Sequence, residues 1–248
     1  MRAYPSAGPK RGACIGRVRN TRPRGISGGD LIGRAGASHQ EAIGRVKIKL
    51  HNGDLPEGLD LGSVVAIDTE TLGLNPFRDR LCLAQLSAGD DVCHAVHFTG
   101  GEIRAPNLAR LLADQSVLKL FHFARFDMGT LKRHLGITVA PVYCTKIASR
   151  LARTYTDKHG LKDLVRELLG IDLSKEQQSS DWGAPKLTEK QLAYAANDVA
   201  YLHRLRTALD AMLAREGRST HAQACFEFLP ARVNLDLAGW ADIDIFAH

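Results

Sequence analysis

Four carboxylates and one phenol stand in this chain at spacings that chemistry can use. Asp68 and Glu70 close the apolar run of Val64-Val-Ala-Ile-Asp-Thr-Glu-Thr-Leu-Gly-Leu74, Asp127 follows His122 by five residues, and Tyr194 precedes Asp198 by four. In a strand, Asp68 and Glu70 share a face roughly 7 Å apart, where they repel each other. A divalent cation relieves that repulsion, because a few carboxylates plus water make an oxygen-rich site suited to Mg²⁺ or Mn²⁺. Alone, an Asp-x-Glu is common and more often marks a solvated strand end followed by a turn.

The elements that must hold these groups follow from the apolar patterning. The β-branched run Val64 to Ile67, bounded by Gly62 and Gly73, reads as a buried central strand. Leu81 to Leu86 and Asp91 to Val96 read as the next two strands of an antiparallel meander, separated by the turn residues Ala88-Gly89-Asp90. Pro106 opens a helix through Ala113, and Leu118 to His122 is again a buried strand. The ordered pattern starts at Val46-Lys-Ile-Lys-Leu50, and its coarse order is three strands, a helix, a strand and four helices. A mixed sheet flanked by helices, of the α/β class, is the expectation.

Asp127 falls in the first turn of a helix predicted to begin at about Phe126. That is near a strand's carboxyl end, where α/β proteins place sites, although an acid there also simply favours the helix. His122 fits a satisfied core histidine. Thr188 and Gln191 make a capping box that starts a helix carrying Tyr194 and Asp198 on one face. Leu192, Ala195, Val199 and Leu202 surround that acid with apolar groups, so Asp198 needs a cation or a backbone partner.

The 248 residues, 44% of them hydrophobic, suffice for one sizeable core. No apolar run approaches the roughly 18 to 20 residues of a membrane span, and there is no secretory signal. Cys14, Cys82, Cys93, Cys144 and Cys225 are odd in number and widely spaced, which points to a reducing, cytoplasmic setting without disulfides or zinc. His94 and His97 read as ordinary strand residues. Residues 1–45 hold nine Lys/Arg against two acids, so the +6 of the chain belongs to this leader and the remainder sits near −1. Rich in Gly, Arg, Pro and Ser, the leader is expected to be disordered. It reads as a basic nucleic-acid arm, a targeting peptide, or an extension from a start placed too far upstream.

Taken together and in order, Asp68-x-Glu70, Asp127 after His122, and Tyr194-x-x-x-Asp198 resemble the three exonuclease motifs of the DEDD superfamily in its tyrosine-bearing branch. The resemblance covers residues 46–215 and implies a ribonuclease H-like fold; Gln177-Gln-Ser-Ser-Asp-Trp182 is similar to ribonuclease D. Arg78-Asp-Arg-Leu-Cys82, Val142 through Leu151, Thr154 through Leu161 and the C-terminal Asp-Ile-Phe-Ala-His248 resemble the alphaproteobacterial nano-RNase C family. That likeness implies cleavage of very short oligoribonucleotides, including dinucleotides, to 5′-mononucleotides, and assembly as a homo-oligomeric ring of eight. It also implies two divalent cations about 4 Å apart. Asp68 would bridge them, Glu70 and Asp198 would complete the nucleophile-side ion, and Asp127 would hold the second largely through water. Tyr194 would orient the attacking water, since a phenol with a pKa near 10 is a poor base.

Substrate contacts are expected from Thr69, Leu74, His122, Phe126 and Arg150. Leu74 could wedge between bases, or serve as a core leucine. Phe126 could stack on a base, a contact worth about 1 to 3 kcal/mol, or pack beside Asp127. Lys146, Arg150 and Arg153 place three cations along one helix side, as a phosphate site or a solvated face. A near-neutral body has no surplus charge to track a long polyanion, which favours short substrates. Residues 216–248 carry large apolar side chains for the protomer's own core or for a subunit interface. Two alternatives stand beside this reading: a ribonuclease D-like exonuclease on longer RNA or on DNA, and a non-catalytic nucleic-acid-binding module.

Overall fold

The computed structural model describes residues 46–174 and 176–247. The expectations for the leader therefore lie outside the described residues. Among the described residues, six strands form one mixed sheet: β1 (Lys47–Asn52), β2 (Val64–Thr71), β3 (Leu81–Ser87), β4 (Val92–His97), β5 (Leu118–Phe121) and β6 (Val142–Cys144). Their spatial order is β1-β4-β3-β2-β5-β6. The β2-β3-β4 meander is antiparallel, while β1 runs parallel to β4, and β5 runs parallel to both β2 and β6.

Two strands escape the simple reading of the sequence, so the order of three strands before the first helix is corrected to four. β1 alternates Lys47, Ile48, Lys49 and Leu50 at an edge, and it finds its partner β4 only through a long-range parallel pairing. β6 is three residues long, too short for a period to show.

Among the described residues, seven helices flank the sheet: α1 (Pro106–Ala113), α2 (Ala124–Leu135), α3 (Thr145–Ala152), α4 (Leu161–Leu164), α5 (Glu189–Ala200), α6 (Leu202–Arg215) and α7 (Ser219–Leu235). α4 runs on into a π-helical turn at Val165–Leu169, and α7 into another at Asp236–Trp240. The capping box forms as expected. Gln191 N–H donates to Thr188 Oγ1 at 3.2 Å, and Thr188 N–H donates to Gln191 Oε1 at 2.9 Å. This fixes where α5 begins, and with it the turn on which Tyr194 and Asp198 stand.

α5 packs over β1 to β4, and α2 packs against β2, β3, β5 and β6. β3 is buried along its whole length, as is Val65-Ala-Ile67 of β2, and burial of these side chains is the main favourable term at the centre of the sheet. α7 inserts Ala222, Phe226, Leu229 and Val233 into the same core. Beyond it Trp240, Ile243, Ile245 and Phe246 remain exposed. No described helix is long and apolar enough to cross a membrane. Cys82, Cys93 and Cys144 are buried free thiols and Cys225 an exposed one.

Candidate active site

β2 delivers Asp68 and Glu70 from its carboxyl end, and a bulge between Glu70 and Thr71 breaks the register just after them. α5 brings Asp198 onto the same face. Oxygen atoms of Asp68, Glu70 and Asp198 lie within 4.8 Å of one another. Thr69 alternates to the other face of the strand. There its N–H and its hydroxyl both donate to Asp127 Oδ1, at 3.1 and 2.7 Å. Asp127 is thus held by Thr69 at the start of α2 and stands apart from the cluster of three. All four acids line one pocket of about 340 Å³, together with Thr69, Tyr194, His122 and Phe126.

The electrostatics of this pocket call for positive charge. Burial pushes Asp68 up to about 7. Burial, with the charges of Asp68, Asp198 and Asp127 added, pushes Glu70 up to about 10. Asp127 and Asp198 are raised well above the usual carboxylate range by burial and then by Asp68, and for Asp127 the Thr69 bonds pull the other way. Four acids that cannot all ionise together are an oxygen donor set for a divalent cation. The buried Gln85, directly opposite Asp68 across β2 and β3, has no partner among the described residues for either amide atom. The residues present fit a metal held by Asp68, Glu70 and Asp198.

Tyr194 is pushed up by burial and then by Asp198, Glu70 and Asp68, so its phenol keeps its proton at neutral pH. Burial, and then the charge of Lys146, push His122 down to about 3, leaving a neutral imidazole. Thr145 Oγ1 donates to the carbonyl of Phe121, so it is the acceptor for His122 Nδ1 at 2.9 Å. His122 Nε2 is then a bare acceptor.

Three expected contacts are placed differently. Leu74 is 83% exposed and is therefore no core leucine, but it lines a neighbouring apolar hollow rather than the carboxylate pocket. Arg150 lines a separate cationic groove, while Lys146 reaches the carboxylate pocket. Arg153 does not continue a cationic stripe. α3 ends at Ala152, and Arg153 turns inward to full burial against Ser149, Glu167 and the Lys158 carbonyl. Reading the sequence gave no role to Phe123, which lines the pocket, nor to the part of its wall made by Gly160, Lys162 and Gln178. The Gly160-Leu161 break ahead of a short helix was the available signal for that wall.

Residues 49–214 match the 3′-5′ exonuclease family. The chain belongs to that family, with the mixed sheet and flanking helices of the ribonuclease H-like fold. Among solved structures it is similar to Brucella melitensis NrnC, at 55% identity and a TM-score of 0.79, over 82% of this chain and 98% of that one. Further structures of that protein, at 53% and 54% identity and TM-scores of 0.78 and 0.79, hold bound Mg²⁺ and pGG respectively; each match covers 82% of this chain and 99% of that one. Ribonuclease D of Gluconacetobacter diazotrophicus is 38% identical over 154 residues, 62% of this chain and 39% of its own length. The chain thus spans about two fifths of the length of the curated relatives it matches.

Proposed function

We propose that this protein is a metal-dependent 3′-5′ exoribonuclease that removes 5′-mononucleotides from very short RNA, down to dinucleotides. The observation that carries this is the convergence of four acids and Tyr194 on one pocket that Lys146 and Lys162 also line. Similarity to the pGG-bound Brucella protein supports the short substrate. When bound, two Mg²⁺ or Mn²⁺ ions would supply a water acidic enough to attack at neutral pH and would neutralise charge on the phosphate and the leaving 3′ oxygen. In this reading Asp68, Glu70, Asp198 and Asp127 would hold the ions. Tyr194, keeping its phenolic proton, orients the attacking water rather than deprotonating it. Lys146 and Lys162 draw the substrate phosphate toward the acids, and neutral His122 offers Nε2 to a hydroxyl.

The test is a time course on 5′-labelled RNAs of two, three, seven and twenty nucleotides, in Mg²⁺ and in EDTA. Fast loss of the dinucleotide over a slow twenty-mer is the expected result. Efficient shortening of the twenty-mer that stops above two nucleotides would favour the ribonuclease D-like activity named in the curated relatives, on longer RNA or on DNA. No Mg²⁺-dependent cleavage at all would leave a binding module.

The chain acts as a homo-oligomer in this reading. The exposed Trp240, Ile243, Ile245 and Phe246 at the end of α7 are the apolar surface for a subunit contact. Light scattering on the purified protein should give a mass several times 27.1 kDa; a monomer would refute it.

A further inference from the structure

A buried amide without a partner stands beside the acids. Gln85 is fully buried within β3, and neither its Nε2 nor its Oε1 has a hydrogen-bond partner among the described residues. An amide buried unpaired costs stability, whereas a methionine or leucine would fill the same space without that cost. A glutamine kept at the centre of the sheet in spite of this points to a role other than packing.

Its position indicates the role. Residues opposite one another in a sheet share a face, and Gln85 lies directly opposite Asp68 on β2 and Ala95 on β4. Leu83, two residues before it on the same face, packs with Ala95, Trp182 and Ala195 in a small apolar cluster under α5. Ala195 stands about one helical turn before Asp198. The amide thus meets an alanine on one side and carboxylates on the other, Asp68 opposite and Glu70 on the diagonal. Paired Cβ atoms in a sheet lie about 4.5 to 5.5 Å apart, so an amide carried on a further methylene reaches the Asp68 carboxyl.

A carboxylate offers about four acceptor positions, and a cation takes those on one side only. We infer that Gln85 is a positioning residue for the metal site: in the loaded site its amide N–H donates to Asp68 on the side turned away from the ions and holds that carboxylate in its ligating orientation. The inference rests on the metal-dependent reading above. Partners of this kind fix the orientation of a ligand, and their loss costs about ten- to a hundredfold in metal affinity.

The experiment compares the full chain with Gln85→Met and Gln85→Leu, which fill the space and remove the amide. Melting is followed in EDTA, and Mg²⁺ binding by calorimetric titration. In EDTA the variants should melt at or above the wild type, because the unpaired amide is gone. Their Mg²⁺ dissociation constants should rise about ten- to a hundredfold, and the Mg²⁺ concentration that half-saturates pGG hydrolysis should rise by the same factor. Unchanged Mg²⁺ affinity overturns the inference; it would fit a water shared with His97, the diagonal neighbour on β4 whose buried Nε2 also lacks a partner among the described residues. If both variants melt well below the wild type in EDTA, or fail to fold, the inference falls as well, since the amide then serves the fold. A wild type that binds no Mg²⁺ overturns the metal-dependent reading beneath it, and the inference with it.

Discussion

Asp68→Asn should abolish hydrolysis and, in EDTA at pH 8, make the protein more stable. Asp68 and Glu70 have folded-state pKa values above their ordinary ones, up to about 7 and about 10. A group raised on folding contributes stability that is complete below its unfolded pKa and is lost as pH rises through the folded one. The metal-free wild type should therefore melt progressively lower between about pH 5 and pH 8, by an amount on the order of a few kcal/mol. Mg²⁺ or Mn²⁺ should reverse that loss, with apparent affinity rising with pH as the carboxyls shed protons. With a neutral amide at 68 the repulsion falls, and the melting temperature in EDTA flattens with pH. Activity should drop by roughly a thousandfold or more, because a metal contribution of several kcal/mol to the transition state is lost. Melting curves in EDTA across that range decide the matter; a wild type that grows more stable toward pH 8 would refute the account.

Arg153→Ala should be the most damaging substitution outside the carboxylates. The guanidinium is fully buried, and it donates to Ser149 Oγ at 2.9 Å, to the Lys158 carbonyl at 2.7 Å and to both oxygens of Glu167. Tyr155 donates its hydroxyl to the same carboxylate at 2.7 Å, and Ser149 Oγ is also bonded to His159 Nδ1. One side chain thus ties the end of α3, the loop after it and the π-helical turn following α4. Removing one partner of a buried pair costs about 3 to 5 kcal/mol. Glu167 is 41% exposed and can regain water, so the low end, about 3 kcal/mol, is expected. Arg153→Lys should not rescue it, because an ammonium cannot match the planar fork. The same tie anchors the Gly160 and Lys162 wall, so kcat should fall as well. A urea denaturation showing less than about 1 kcal/mol lost would mean that the network behaves as a surface pair.

What the sequence made legible was local. The Thr188 and Gln191 box, the alternation that puts Asp68 with Glu70, and the four-residue step from Tyr194 to Asp198 each depend on a single element. The turn at Ala88-Gly89-Asp90 declared the meander for the same reason. What stayed hidden depends on distant partners. β1 is defined by β4, forty-odd residues away, and Arg153 looked like a surface cation until Glu167 and Lys158 were folded onto it. Asp127 was found by its position in a first turn, but its two bonds to Thr69 could not be read, because they cross between elements. Phe123 was masked differently: nothing in a Phe announces a left-handed backbone, and the helix was expected to start nearer Phe126.

The arrangement of the acids carries a consequence for the life of the chain. Two come from β2 near the start of the described residues, and their companion in the cluster comes from α5, 128 residues after Glu70. Asp127 reaches them only once α2 has docked and Thr69 has closed on it. In the reading proposed above, a cation finds its ligands only after α5 and α2 are both seated on the sheet. A partly unravelled copy carries the same acids in its sequence, but not the close grouping that the folded chain gives them.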